Sequence, residues 1–438
     1  MKTFAAATLA ATLCATTAEA VTVDLVATLR AGDPAAEAFF GFDIALDGTT
    51  ALIAAPFGDG GAPGASGAAY LVDLSGPVPV QSVIAPPPGL SEGGFGTTVA
   101  IDGDRALVSN VASAFDRDTD EVDSIIVYDL SGAAPAPVGT LTASDGRPGD
   151  QFGFSLAIDG DRAVVGADSA IGTKSANGAA YVYDLGGPAP VETAKLVPFD
   201  AVDPDDAGND VAIEGDTVLV GTDGAVLPAD IFGDQGGAAY LYDLGETPPG
   251  EVAAIRSDDP SVAEGFGVSV DLDDGVALIG SFAEENSASG LGPGRAYLID
   301  TRGDPSDPAS RRQLGAEDGS PGDAFGQSVA LDDGIALIGA PRTDGRSGAA
   351  YIFDALTGRQ LARIDAPNGA DEQLFGQVVA LSGNLALVSS LGGGPSGNRN
   401  PSAVYVYRIE QPAQIPLPAP ALLLVGAMGA LVLVRRRR

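Results

Sequence analysis

The chain contains no histidine and no tryptophan, and its single cysteine, Cys14, lies close to the N-terminus. Without His, and with no Cys in its body, it cannot assemble a Ser-His-Asp triad, a Cys-His pair or a zinc centre of the usual nitrogen and sulfur type. It forms no disulfide, so cysteine usage does not identify a compartment. Positive charge is also scarce: 23 Lys and Arg stand against 59 Asp and Glu, a formal net charge of -36. Such a chain repels nucleic acid phosphates and anionic lipid headgroups. The acidity suits a saline habitat and equally suits plain colloidal stability.

What is present points to sheet. The 438 residues include 60 Gly and 31 Pro without a collagen period, and 45% of the chain is apolar. That combination means many short strands joined by many turns. Long helical patterns are missing from the whole middle of the chain. The length suits two or three ordinary domains, but closed all-β architectures often reach it as one.

The two ends read as addresses. Met1 to Ala20 has a basic Lys2, an apolar small-residue stretch from Phe4 to Leu13, and Ala18-Glu19-Ala20 as a small-x-small cleavage site. These are the parts of a secretory signal peptide. Leu13 before Cys14 does not fit a lipoprotein signal. Setting aside both ends (Lys2, Glu19 and Arg435 to Arg438) leaves 18 basic and 58 acidic residues, a charge of about -40. At the C-terminus, Ile415-Pro416-Leu417-Pro418-Ala419 precedes an apolar segment from Pro420 to Val434 and four arginines. The apolar segment falls short of the roughly 20 residues of an ordinary span, and the arginines should remain cytoplasmic. A plain tail anchor is one reading. The order of short motif, apolar helix and basic cluster also resembles the VPLPA branch of the PEP-CTERM sorting signals, with Ile415 in place of Val. That resemblance implies an exosortase-like membrane protease as a transient partner, and release or transfer of the body to the surface.

Between the ends the sequence repeats. A segment Phe-Gly-x-x-(Val/Leu/Ile)-Ala-(Ile/Leu)-Asp-Gly recurs with variations. Its glycines are Gly41, Gly96, Gly153, Gly208, Gly267, Gly326 and Gly376, spaced 55, 57, 55, 59, 59 and 50 residues apart. The fourth copy lacks the Phe. Each unit divides into four strand-like pieces, A to D. In the third these are Phe154 to Ile158, Arg162 to Ala167, Ala179 to Leu185 and Val191 to Leu196, with Asp159-Gly160-Asp161 as the first hairpin turn. Four antiparallel strands repeated seven times predict a seven-bladed β-propeller, because one blade cannot cover its own faces. Val21 to Leu29 is a D strand without a blade, and the last unit lacks one. The first strand is therefore expected to complete blade seven and close the ring. The predicted organisation is a leader (1–20), an all-β propeller (21–409), a linker with the sorting motif (410–420) and a C-terminal transmembrane helix with its basic tail (421–438).

The Phe-Gly starts, the run ending Gly339-Ala340-Pro341 and the Tyr-bearing third strand resemble the FG-GAP repeats of integrin α-subunit propellers and of many bacterial surface proteins. In calcium-binding members the turn after strand A expands into a D-x-D-x-D-G loop. Here it contracts to Asp102-Gly103-Asp104 or Asp332-Asp333-Gly334 and leaves those ligands no place.

Few residues are candidates for chemistry. All ten tyrosines, from Tyr70 to Tyr407, fall on third strands, which suits packing between blades better than sugar stacking. The long, unlike loops join strands B and C, around residues 57–66, 110–123, 168–177, 222–236, 281–293, 341–347 and 390–401. Binding would live there, and Phe57, Phe115, Phe232 and Phe282 serve either as contact points or as loop anchors. Asp116, Asp118 and Asp120 alternate along one such loop as hard oxygen ligands for calcium, the one cofactor the sequence suggests. Arg302-Gly303-Asp304 is the tripeptide many integrins recognise. For catalysis only paired carboxylates remain, and no pair stands out. The expected function is a non-enzymatic, secreted or surface-sorted protein that binds an unidentified surface or matrix ligand, without nucleic acid. A carboxylate-dependent hydrolase or lyase, assisted by calcium, is the alternative.

Overall fold

The computed structural model describes residues 21–32, 39–56, 67–88, 90, 94–111, 122–170, 178–199, 206–222, 237–257, 265–282, 292–367, 374–392 and 402–410. The leader, the aspartates 116, 118 and 120, the sorting motif Ile415 to Ala419 and the apolar segment after it lie outside these residues. Among the described residues no helix is long and apolar enough to cross a membrane.

Seven four-stranded antiparallel sheets follow one another along the chain. In the third blade strand A is Phe152–Asp159, B is Arg162–Ala167, C is Ala179–Asp184 and D is Val191–Leu196. Asp159 pairs with Arg162, so the A–B turn has two residues, as its Gly-Asp composition dictates. The seventh sheet has the order Thr22–Leu29, Ala403–Glu410, Leu385–Ser390, Phe375–Ser382. The N-terminal strand is thus the outer strand of the last blade, and the ring is closed.

Burial follows position in the blade. Strand B lies between A and C and between two neighbouring blades, so it is a continuous aliphatic run: in Arg162–Ala167 every residue after the first is buried. Strand D is outermost and alternates, as in Val191–Leu196, where Leu196 is buried and Val191 exposed. The core lies in the seams. Phe152 packs with Val127 and Leu141 of the preceding blade and with Tyr181 and Tyr183 of its own. Its ring meets Tyr181 edge-on at 5.5 Å. The same pair recurs as Phe40–Tyr70, Phe325–Tyr351 and Phe375–Tyr405, and all ten tyrosines are buried.

Two glycines set how closely blades approach: that of the Phe-Gly start in every unit, and one before strand C in five of the seven. Gly267, of the Phe-Gly pair, has φ +92° and lies so near the preceding blade that a Cβ would stand 2.2 Å from the Ala238 oxygen. Gly237, just before strand C, forms a parallel bridge to Phe266 of the next blade. An added Cβ there would stand 2.0 Å from the Phe266 oxygen. The motif Gly-Ala-Ala-Tyr before strand C is the trace of this contact in the sequence.

Candidate functional site

The inner strands line a central channel, and their alternation sorts side chains into three tiers. Numbering from each Phe-Gly start, the fourth residues are Asp43, Thr98, Ser155, Asp210, Ser269, Ser328 and Val378. The sixth residues are alanine in every blade except the fifth, which has Asp271. The eighth form the channel mouth: Asp47, Asp102, Asp159, Glu214, Asp273, Asp332 and Ser382. The upper tiers enclose about 320 Å³.

The mouth residues form a closed ring of hydrogen bonds from blade to blade. The Gly103 amide donates to Asp47 at 2.8 Å, Gly160 to Asp102 at 2.6 Å, Gly215 to Asp159 at 2.5 Å and Gly275 to Glu214 at 3.0 Å. The Asp333 amide reaches Asp273, and the Gly383 amide reaches Asp332. Gly48 donates to Ser382 at 3.0 Å and completes the circuit. These contracted turns after strand A join blade to blade. Charge-assisted bonds of this type contribute about 1.5–3 kcal/mol each where water is excluded, and less at a wet channel mouth.

Deeper in the lumen three carboxylates are half-buried. Burial pushes Asp43 and Asp271 up to about 7 and Asp210 up to about 6, although each accepts two backbone N–H bonds that pull the other way. Each of the three also feels a neighbouring aspartate or sits beside one that feels it. No Arg or Lys is among the described residues that line the lumen. The sequence reading did not single out these three. Aligning the seven units would have exposed Asp271, because it breaks a column of alanines.

Cations lie over tyrosines of the third strands. Lys195 donates to Asp145 at 2.8 Å and lies 4.9 Å above the Tyr181 ring, whose hydroxyl donates to the other Asp145 oxygen. Arg363 repeats the arrangement over Tyr351 and bridges Asp318, Asp344 and Asp365.

The remaining sequence candidates separate clearly. Phe282 is an anchor: it is buried and packs over Gly265. Phe57, Phe115 and Phe232 fall outside the described residues, as do Asp116, Asp118 and Asp120. In the Arg302-Gly303-Asp304 turn both charged ends are engaged locally. The Arg302 Nε donates to Asp300 at 2.9 Å, and Asp304 accepts the Ser306 amide and hydroxyl. Among the described residues no group of three or more carboxylates is spaced to hold a metal ion.

A seven-bladed β-propeller whose blades are joined at the channel mouth by carboxylate-to-amide bonds is the class the fold defines. The FG-GAP repeat family model matches residues 23–72, 137–183, 190–242, 310–353 and 359–407, more than half of the sequence. The chain belongs to the FG-GAP repeat family. Each matched window begins at or beside an outer strand and ends on or just before the close of the Tyr-bearing third strand of the next blade, the same one-strand offset that closes the ring. No curated protein matches the chain. The crystal structure of Saccharomyces cerevisiae Sqt1 aligns with a TM-score of 0.43 at 12% identity, over 85% of this chain and 96% of that one.

Proposed function

We propose that this protein is a non-enzymatic binding module of the cell surface or its surroundings, which engages a surface or matrix ligand through its loop-bearing face. The observation that carries this reading is the contrast between the two faces of the disc. Every A–B turn is two residues long, and the carboxylate or hydroxyl that precedes it is occupied by the neighbouring blade. The B–C connections, of unlike sequence, leave from the opposite ends of the strands, where a rigid scaffold can vary them without disturbing the fold. The leader delivers the chain across a membrane. The segment 421–438 holds it there until an exosortase-like protease acts at Ile415 to Ala419.

The test replaces the loops 57–66, 110–123 and 222–236 by short Gly-Ser turns and compares retention in the surface or matrix fraction. The reading requires retention to fall while the strands stay folded; unchanged retention argues against it. Intact mass of the same samples tests delivery. A form beginning near Val21 and ending near Pro416 to Ala419 supports sorting, whereas a membrane form retaining Arg438 indicates an ordinary anchor.

A second reading, a carboxylate-dependent hydrolase or lyase with calcium as helper, draws support from Asp43, Asp210 and Asp271. Their pKa values near neutrality suit proton transfer. Turnover of a glycan or ester panel that disappears in Asp271→Asn, with loop-face binding unchanged, would favour it.

A further inference from the structure

The upper tier of the channel makes one kind of seam contact with two chemistries. The Thr98 hydroxyl donates to the Gly153 oxygen at 2.6 Å and the Ser155 hydroxyl to the Gly208 oxygen at 2.8 Å. The Ser269 and Ser328 hydroxyls accept the Val329 and Val379 amides, each at 3.1 Å. Asp43 and Asp210 do the same work with carboxylates, accepting the Val99 and Val270 amides at 2.8 Å. Their other oxygens accept Ile44 and Val211. A neutral hydroxyl therefore suffices to join two blades, and the charge at Asp43 and Asp210 serves something else. Asp271 is the plainer case. Six blades have alanine at its level and hold together without a polar group there. Asp271 alone accepts the Leu331 amide of the next blade at 2.7 Å and the Leu272 amide at 2.8 Å.

We propose that Asp43, Asp210 and Asp271 make the ring proton-sensitive: the seams between blades 1 and 2, 4 and 5, and 5 and 6 hold tightest when the lumen is protonated and open more readily when it is ionised. The serine-held seam between blades 6 and 7 does not respond. The surroundings are uniformly acidic or neutral. Asp271 feels Asp210 on the preceding inner strand and Asp273 on its own, and it lines the channel mouth together with Glu214 and Asp332. Asp210 lines the lumen with Ser155 of blade 3 and Ser269 of blade 5, whose side chain it bonds. Asp43 feels Asp210 and lines the lumen with Thr98 of blade 2 and Val378 of blade 7. No described cation lines the lumen to compensate an ionised group.

The sign follows from linkage. Burial holds the three carboxyls above their ordinary value of 3.8 in the closed ring, and opening a seam returns water and lowers them. Their contribution to closure is complete below that ordinary value. It is lost as pH rises through the closed-state values of about 6 to 7.

Amide hydrogen exchange on the full chain at about pH 5 and about pH 8, corrected for intrinsic exchange chemistry, reads this directly. The Val379 amide is the internal control. Protection of the Val99, Val270 and Leu331 amides relative to Val379 should fall at least about tenfold between the two conditions. In the Asp43→Asn, Asp210→Asn, Asp271→Asn triple variant the ratio should be equal at both. If Val379 changes in step with the other three, or if the triple variant keeps the response, repulsion across the whole acidic chain is the cause and the proposal is wrong. Should the triple variant not fold, Asp271→Asn alone must abolish the response at Leu331 and spare Val99.

Discussion

The Gly48 amide donates to the Ser382 hydroxyl at 3.0 Å, joining the last blade to the first through the one uncharged member of the mouth ring. Ser382→Ala leaves that exposed amide to water and is expected to cost about 1 kcal/mol. Ser382→Asp keeps an acceptor but sets a seventh carboxylate between Asp332 and Asp47. Its melting temperature should fall below wild type at low ionic strength and recover in roughly 0.5 M salt, where the screening length is a few ångströms. Equal loss at both ionic strengths would show that charge is not the cause.

The seam glycines are expected to tolerate nothing larger. Gly267→Ala combines a positive φ with a Cβ 2.2 Å from the Ala238 oxygen. The conformation costs about 1–2 kcal/mol and the overlap about 1–3 more. Gly103→Ala shares the positive φ but meets nothing within 4 Å, so only the first cost, about 1 kcal/mol, applies. Chemical denaturation of the two variants measures the difference.

Deleting residues 21–29 removes the outer strand of blade seven and exposes the edge of Ala403–Glu410. A long unpaired edge is a template for pairing with another chain. The shortened chain should elute as dimers or larger species in size-exclusion chromatography and melt lower than wild type. A monomer of unchanged stability would mean that the ring does not depend on this strand.

Stability is expected to peak on the acid side of neutrality. Above the peak, Asp43, Asp210 and Asp271 must ionise in a lumen that disfavours charge. Below it, Asp145 and Asp318 lose their cations: burial raises both, but Lys195 with Tyr181 and Arg363 respectively outweigh it and hold them below the usual range. That second contribution is present above the ordinary carboxyl value and disappears as pH falls through the lowered ones. Thermal melts across the range should trace a maximum near about pH 5, rather than a plateau extending to pH 8.

Much of this fold is legible in the sequence, because period and composition agree. The strand boundaries predicted for the third blade match to within two residues at each end, and the unmatched strand at Thr22–Leu29 sits where the missing strand of the last unit required. Local chemistry sets those features: Asp-Gly turns, aliphatic B strands, Tyr-bearing C strands. The channel tiers were less accessible. Which of two alternating faces points at the axis depends on how blades tilt around a ring, and no single repeat records that. Asp271 left a trace as a broken alanine column, but its meaning needed the Leu331 amide beside it. The mouth carboxylates read as turn residues, and their bonds to the next blade link positions some 55 residues apart.

The closure of blade seven also has a consequence for the order of assembly. Thr22–Leu29 is made early and pairs with Ala403–Glu410, made nearly four hundred residues later. Until then the first strand has no partner, and the last blade cannot form. Contacts this distant in sequence are slow to reach and leave strand edges open meanwhile. A nascent chain can stack blades one through six as they appear, but it becomes a ring only when its two ends meet.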